Sequence, residues 1–125
     1  MNAQQHLVMT ILARHNYRCA CCDVPIVGDR GVDWSLQHRR PRGMGGSRWE
    51  FINSPANLIP VSGSGTTGCH GHMEKHRAEA MTYGWLLPKS TLDPALHPVL
   101  VEHGSRWVYL DHLGGMSDNP PVVAA

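Results

Sequence analysis

The chain has 125 residues, 42% hydrophobic and 17% charged, with a formal net charge of +1 and a mean hydropathy of −0.28. That length suits one compact domain of ordinary globular composition. No apolar run approaches the roughly 20 residues of a membrane helix, and residues 7–13 are too short, and lack the basic start, for a secretory signal; an intracellular protein, not secreted and with no membrane partner, is expected.

Residues 3–15 place Leu7 and Ile11, with Met9 and Leu12, at helical spacing ahead of an Asn16-Tyr17 break, and predict a helix with an apolar stripe. Residues 17–36 read as a Cys knuckle and loop running into a short strand over 32–38. Residues 41–47 are Gly-rich and form a loop. A second short strand is expected at 57–61, a flexible loop at 63–68, and a helix over 69–83 ended by Gly84 as a C-cap glycine. Residues 99–102 and 106–110, split by His103-Gly104-Ser105, predict a hairpin. Residues 116–125 read as a disordered tail. The class is α+β, a single domain over 1–115.

Nine His and four Cys stand beside a single Phe. Nitrogen and sulfur ligands are over-supplied while aromatic core is scarce, which suggests that metal takes over some of the core's work. Cys19-x-x-Cys22 lets two thiolates converge on one tetrahedral ion, and Cys69-x-x-His72 supplies a second half-site, so the spacing alone predicts a structural zinc site. A redox pair would need a βαβ context, and none is visible. Cys21 reads as a bystander. Gln37-His38-Arg39-Arg40-Pro41 stands at a strand end, Asn57 opens the next strand, and His70, His72 and His76 crowd the helix that follows. On that helix His72 and His76 share a face, while His70 points roughly 100° away from Cys69, so one helix can serve two metals. Residues 63–68 match a dinucleotide-binding glycine pattern, but the chain downstream is too short for the parallel strands such a crevice needs. Arg39, Arg40, Arg42 and Arg48 form the densest basic cluster, either a solvated face or a strip contacting DNA phosphates.

Taken in order, Cys19-x-x-Cys22, Gln37-His38-Arg39-Arg40-Pro41-Arg42-Gly43-Met44-Gly45-Gly46, Asn57-Leu58 and Gly68-Cys69-His70-Gly71 resemble an HNH endonuclease. The likeness is to the small zinc-stapled type common in bacteriophages and actinobacteria, and it covers about residues 15–85. The resemblance implies a ββα-metal finger with a zinc knuckle, flanked here by the N-terminal helix and the C-terminal hairpin. It implies DNA hydrolysis with weak sequence specificity, by nicking or double-strand cleavage, leaving 5′-phosphate and 3′-hydroxyl ends. His38 would be the general base, Asn57 would hold the His-bearing loop, and His70 would bind a single catalytic divalent metal (Mg²⁺, Mn²⁺, Ni²⁺ or Zn²⁺), with His76 a candidate second ligand.

Two positions depart from the family pattern. Gln37 stands where the family usually has Asp, Glu or His to bind the metal. Ser62 stands where relatives often have the third zinc Cys, so either His72 completes the zinc site with Cys19, Cys22 and Cys69, as is expected here unless it joins His76 at the catalytic metal, or the zinc is weakened or absent. The alternatives are a catalytically impaired, zinc-stapled DNA-binding module and a protein that interacts with phage terminase subunits in genome packaging.

Overall fold

A computed structural model describes residues 1–43 and 48–122. Residues 44–47 of the expected Gly-rich loop and 123–125 of the expected tail lie outside the described residues. Helix α1 (Ala3–Arg14) begins at a reciprocal cap: Asn2 Oδ1 accepts the Gln5 N–H at 2.8 Å, and Gln5 Oε1 accepts the Asn2 N–H at 2.8 Å. It buries Ile11 and Leu12. Asn16 and Tyr17 then take φ of 55° and 58°, left-handed backbone that ends the helix at the expected break.

Strands β1 (Trp34–His38) and β2 (Leu58–Ser62) pair antiparallel, Trp34 opposite Ser62 and His38 opposite Leu58. The run from Leu58 to Val61 is buried, because α1 and the following helix both pack on β2. Pro60, which has no N–H to donate, is tolerated on so short an edge strand, and its carbonyl accepts the Ala20 N–H at 2.8 Å. Arg14 pins α1 to this hairpin by donating to Pro55 O at 2.7 Å and Leu58 O at 2.6 Å. The chain turns at Gly63 (φ +82°), where a Cβ would lie 2.1 Å from Thr67 O, and enters α2 (Gly68–Lys75). The order is ββα.

The single helix expected over 69–83 is broken. His76 (φ −122°, ψ 61°) ends α2 and starts α3 (Arg77–Thr82). The break is held by side chains: the His76 ring lies 4.3 Å from that of His72, and His72 Nε2 lies 3.1 Å from Glu79 Oε2. Gly84 closes α3 at φ +75°, and a Cβ there would meet Pro98 O at 2.0 Å, so the close approach of chain to chain demands glycine as well as the cap.

The expected hairpin forms as β3 (Val99–Val101) and β4 (Arg106–Leu110). A third strand, β5 (Met116–Ser117), pairs with Tyr109 and Leu110 of β4. The segment read as a disordered tail from residue 116 therefore begins as paired strand, because the outer edge of β4 offers it backbone partners. Val99, Val101, Val108 and Leu110 share one core with Ile59, Val61, Met73, Ala80, Trp85 and Leu86, and Cys19 lies in the same cluster. The architecture is α+β, with no helix among the described residues long and apolar enough to cross a membrane.

Arg39, expected on a DNA-facing strip, is fully buried. Its Nε donates to Gly84 O at 2.8 Å, Nη1 to Ala56 O and Pro94 O at 3.0 and 3.1 Å, and Nη2 to His97 O and Pro98 O at 2.8 and 3.2 Å. All the donors of the guanidinium are taken by main-chain carbonyls, so Arg39 has nothing to offer a phosphate. Burial pushes its pKa down to about 9, which leaves it protonated at neutral pH. Arg39→Leu should lower stability by on the order of 3 kcal/mol or more, because buried carbonyls lose their donors. Urea unfolding checks this, with Arg39→Lys recovering only part of the loss; a deficit below about 1 kcal/mol would contradict the assignment.

Candidate active site and metal centre

Two centres lie beside the β1–β2 hairpin and share α2. The first is a thiol cluster. Cys19 and Cys22 are presented by a tight knuckle in which Asp23 N donates to Cys19 O at 3.0 Å and Cys19 N to Val24 O at 2.8 Å. Cys69 stands in the first turn of α2. The sulfurs of Cys19, Cys22 and Cys69 all lie within 4.8 Å of one another. A zinc ion with bonds of about 2.3 Å would set thiolates roughly 3.8 Å apart at a tetrahedron's corners, so the three thiols are close enough to hold one ion. The acidity of Cys19 and Cys69 also fits a cation. The adjoining Cys69 thiol and then burial push Cys19 up. Cys69 is pushed up to about 12; Cys19 acts to lower it, while the neighbouring Cys21 and burial raise it. Thiols crowded in this way ionise only if a positive charge arrives among them.

The fourth side of the cluster belongs to Ser62. Its Oγ lies 3.9 Å from both Cys19 Sγ and Cys22 Sγ, and it accepts the Cys69 N–H at 3.1 Å. Ser62 N donates in turn to Cys19 Sγ at 3.3 Å. His72, expected to complete the set, stands apart from it. Its side chain is 45% exposed and paired with Glu79, because the break at His76 brings that carboxylate back toward α2.

The second centre is a pocket of about 190 Å³ lined by Gln37, His38, Arg42, His70 and Glu74 among others. His38 Nε2 lies 3.0 Å from Asn53 Oδ1. An amide oxygen only accepts, so Nε2 carries the proton and Nδ1 keeps a free lone pair. Burial lowers the His38 pKa, Asn53 raises it, and Arg42, Arg30 and His70 lower it further; the ring is neutral at neutral pH. Asn57 is fully buried and clamps the chain just beyond His38. Its Oδ1 accepts the Arg40 N–H at 2.8 Å, while Nδ2 donates to Arg40 O at 3.2 Å and Ile52 O at 3.0 Å.

His70 has the opposite tautomer. The Ser35 hydroxyl donates to Gly63 O at 2.9 Å, so Ser35 Oγ accepts the Nδ1–H of His70 at 2.6 Å and leaves Nε2 as the lone-pair donor. Burial lowers the His70 pKa, and Glu74 acts in the other direction. Gln37 lines the same pocket, with its amide 3.4 Å from Trp85 O. His76 does not join these residues. It is exposed and packed on His72, and it is not among the residues that line the pocket.

The basic cluster divides. Arg40 Nη1 donates to Thr91 O at 2.9 Å, and its guanidinium lies 4.1 Å from the centre of the Trp49 ring. Arg42 and Arg48 are exposed, and Arg42 adjoins the pocket. A second groove, between α1 and the hairpin, brings Arg30 to His38, Arg42 and Asn53. Sequence reasoning passed over Ser35, Asn53, Glu74 and Arg30. Only Glu74 had a usable signal, its place four residues after His70 on one helix.

This geometry makes Ser62 the weak corner of the thiol cluster. Ser62→Cys should hold zinc roughly tenfold or more tightly, whereas His72→Ala should leave zinc affinity unchanged; competition with a chromogenic chelator measures both. Weaker zinc binding in His72→Ala would restore His72 as a ligand. Comparisons with family models, with curated proteins and with solved structures each found no match to this chain.

Proposed function

We propose that the chain is a metal-dependent endonuclease of the HNH type, hydrolysing DNA phosphodiester bonds to 5′-phosphate and 3′-hydroxyl ends. One observation carries the reading: two neutral imidazoles of opposite tautomer, His38 and His70, open onto one pocket beside an exposed arginine. The resemblance of the ordered Cys, His and Asn motifs to that family supports it.

His38 Nδ1 takes a proton from the attacking water, and Asn53 holds the ring so that this nitrogen is the one presented. The water oxygen bonds to phosphorus as the bond to the 3′ oxygen breaks, and that oxygen leaves with a proton from solvent. Asn57 fixes the chain that follows His38 and so keeps the base in place. Arg42, with Arg48 and Arg30, offers charge to phosphates without reading bases. His70 Nε2, with Gln37 at the same pocket, would hold a divalent metal. When bound, that metal neutralises charge on the scissile phosphate and the departing oxygen. Cys19, Cys22 and Cys69 would hold a structural zinc, with Ser62 at the fourth side.

Relaxation of supercoiled plasmid in Mg²⁺, Mn²⁺ or Ni²⁺ tests the reading, wild type beside His38→Ala. The variant should lose roughly 10²-fold or more in rate; activity that survives the substitution overturns the base assignment. The pH profile gives a second check. Because burial lowers the His38 pKa, the rate should hold constant as pH falls through the ordinary imidazole range near 6.5 and drop only below it. An acid limb centred at or above that value would count against His38.

A further inference from the structure

We propose that Glu74 is the carboxylate ligand of the divalent metal at this pocket, supplying from α2 the negative charge that Gln37 cannot supply from β1. The inference rests on the nuclease reading above and names a ligand that the sequence motifs did not include.

The need for such a group follows from charge. Gln37 offers a neutral carbonyl oxygen, His70 a neutral nitrogen, and Arg42 brings a positive charge to the same pocket. A divalent ion placed among these alone would have no anionic partner, and hard cations such as Mg²⁺ and Mn²⁺ favour oxygen ligands, carboxylates above all. Among the described residues, Glu74 is the one acidic side chain lining the pocket.

Its placement fits that role. His70 and Glu74 stand one helical turn apart on α2, and Nε2 and Oε1 are 3.9 Å apart. That is too long for a hydrogen bond between them. It is within the reach of one ion bound to both, since each ligand bond runs about 2.0–2.2 Å. The remaining atoms of both side chains are held from behind. Ser35 takes the Nδ1–H of His70 and turns Nε2 to the pocket. Arg77 Nη1 lies 3.3 Å from Glu74 Oε2, and so leaves Oε1 on the His70 side. A metal-binding His with its far nitrogen bonded, and a carboxylate with its far oxygen bonded, are what supporting shells provide. A purely structural Glu74 would be a half-exposed ion pair of little energetic weight with no influence on metal affinity.

Metal binding decides between the two roles without relying on catalysis. Mn²⁺ is titrated into the full chain, preloaded with a single equivalent of zinc to fill the thiol cluster, and free Mn²⁺ is followed by its electron paramagnetic resonance signal, for wild type, His70→Ala and Glu74→Gln. Wild type should bind one Mn²⁺, His70→Ala should abolish that binding, and Glu74→Gln should weaken it by about tenfold or more with thermal stability unchanged. If Glu74→Gln binds as tightly as wild type while His70→Ala does not bind, Glu74 is no ligand and the nuclease reading stands. If wild type itself binds no Mn²⁺, both the ligand and the metal-dependent reading fall.

Discussion

The buried guanidinium of Arg39 is the constraint on which the rest of the structure depends. It follows His38 directly, and its five donors go to carbonyls of three separate segments: Ala56 before β2, Gly84 after α3, and Pro94, His97 and Pro98 ahead of β3. Burying a charge away from water is costly unless each donor is met, and here each is. Its own main chain joins the arrangement, N–H to Asn57 O and carbonyl from Leu87 N–H. Three segments far apart in sequence are therefore registered on one planar group. The position of His38 follows from that registration together with the Asn57 clamp.

The thiol cluster and the pocket are joined by the same hairpin and the same helix. Ser62 ends β2 beside the thiols, while His38 ends β1 at the pocket, so the antiparallel register that sets Trp34 opposite Ser62 also fixes the span between the centres. On α2, Cys69 and His70 are consecutive residues that diverge by the roughly 100° of one helical step. A displacement of Cys69 is thus a displacement of His70. In a chain with a single Phe, a metal at the thiols would act as a core element, because Cys19 is buried among the same side chains as Ile59, Val61 and Met73. Stability and site geometry are coupled through two adjacent residues.

Legibility in the sequence followed the range of the interactions. Helix α1, both strands of the ββ hairpin and the β3–β4 hairpin were readable because their periodicity and turn residues are local. The grouping of Cys19, Cys22 and Cys69 was readable because ligand spacing is a property of turns. Arg39 was not, since its cluster of charged neighbours resembles a surface strip and its partners lie 17 to 59 residues away. The place of His72 beside Glu79, apart from the thiols, was not readable, because a spacing rule takes the helix to be unbroken whereas the kink at His76 brings Glu79 to it. Asn53 gave no local signal at all; it meets His38 from a loop 15 residues on.

That loop explains why the C-terminal half matters to the site. Ser54, beside Asn53, accepts the Ala56 N–H and lies 2.5 Å from His112 Nδ1, while His112 Nε2 lies 2.8 Å from Asp93 Oδ1. Asp93 in turn accepts the Ala95 N–H. The His112 ring also stacks on Phe51 at 4.2 Å. Ser54 and Asp93 each cap a short 3₁₀ turn, Pro55–Asn57 and Pro94–Leu96, so one imidazole ties two caps together. A serine–histidine–aspartate series invites a nucleophilic reading, but its serine already accepts a main-chain N–H and its aspartate already caps a turn, the bonding of a brace. The brace sits one residue from Asn53, which fixes the tautomer of His38. The segment carrying Asp93 and His112 thus braces the loop that holds Asn53 against His38, without itself contributing a residue to the pocket that His38 lines.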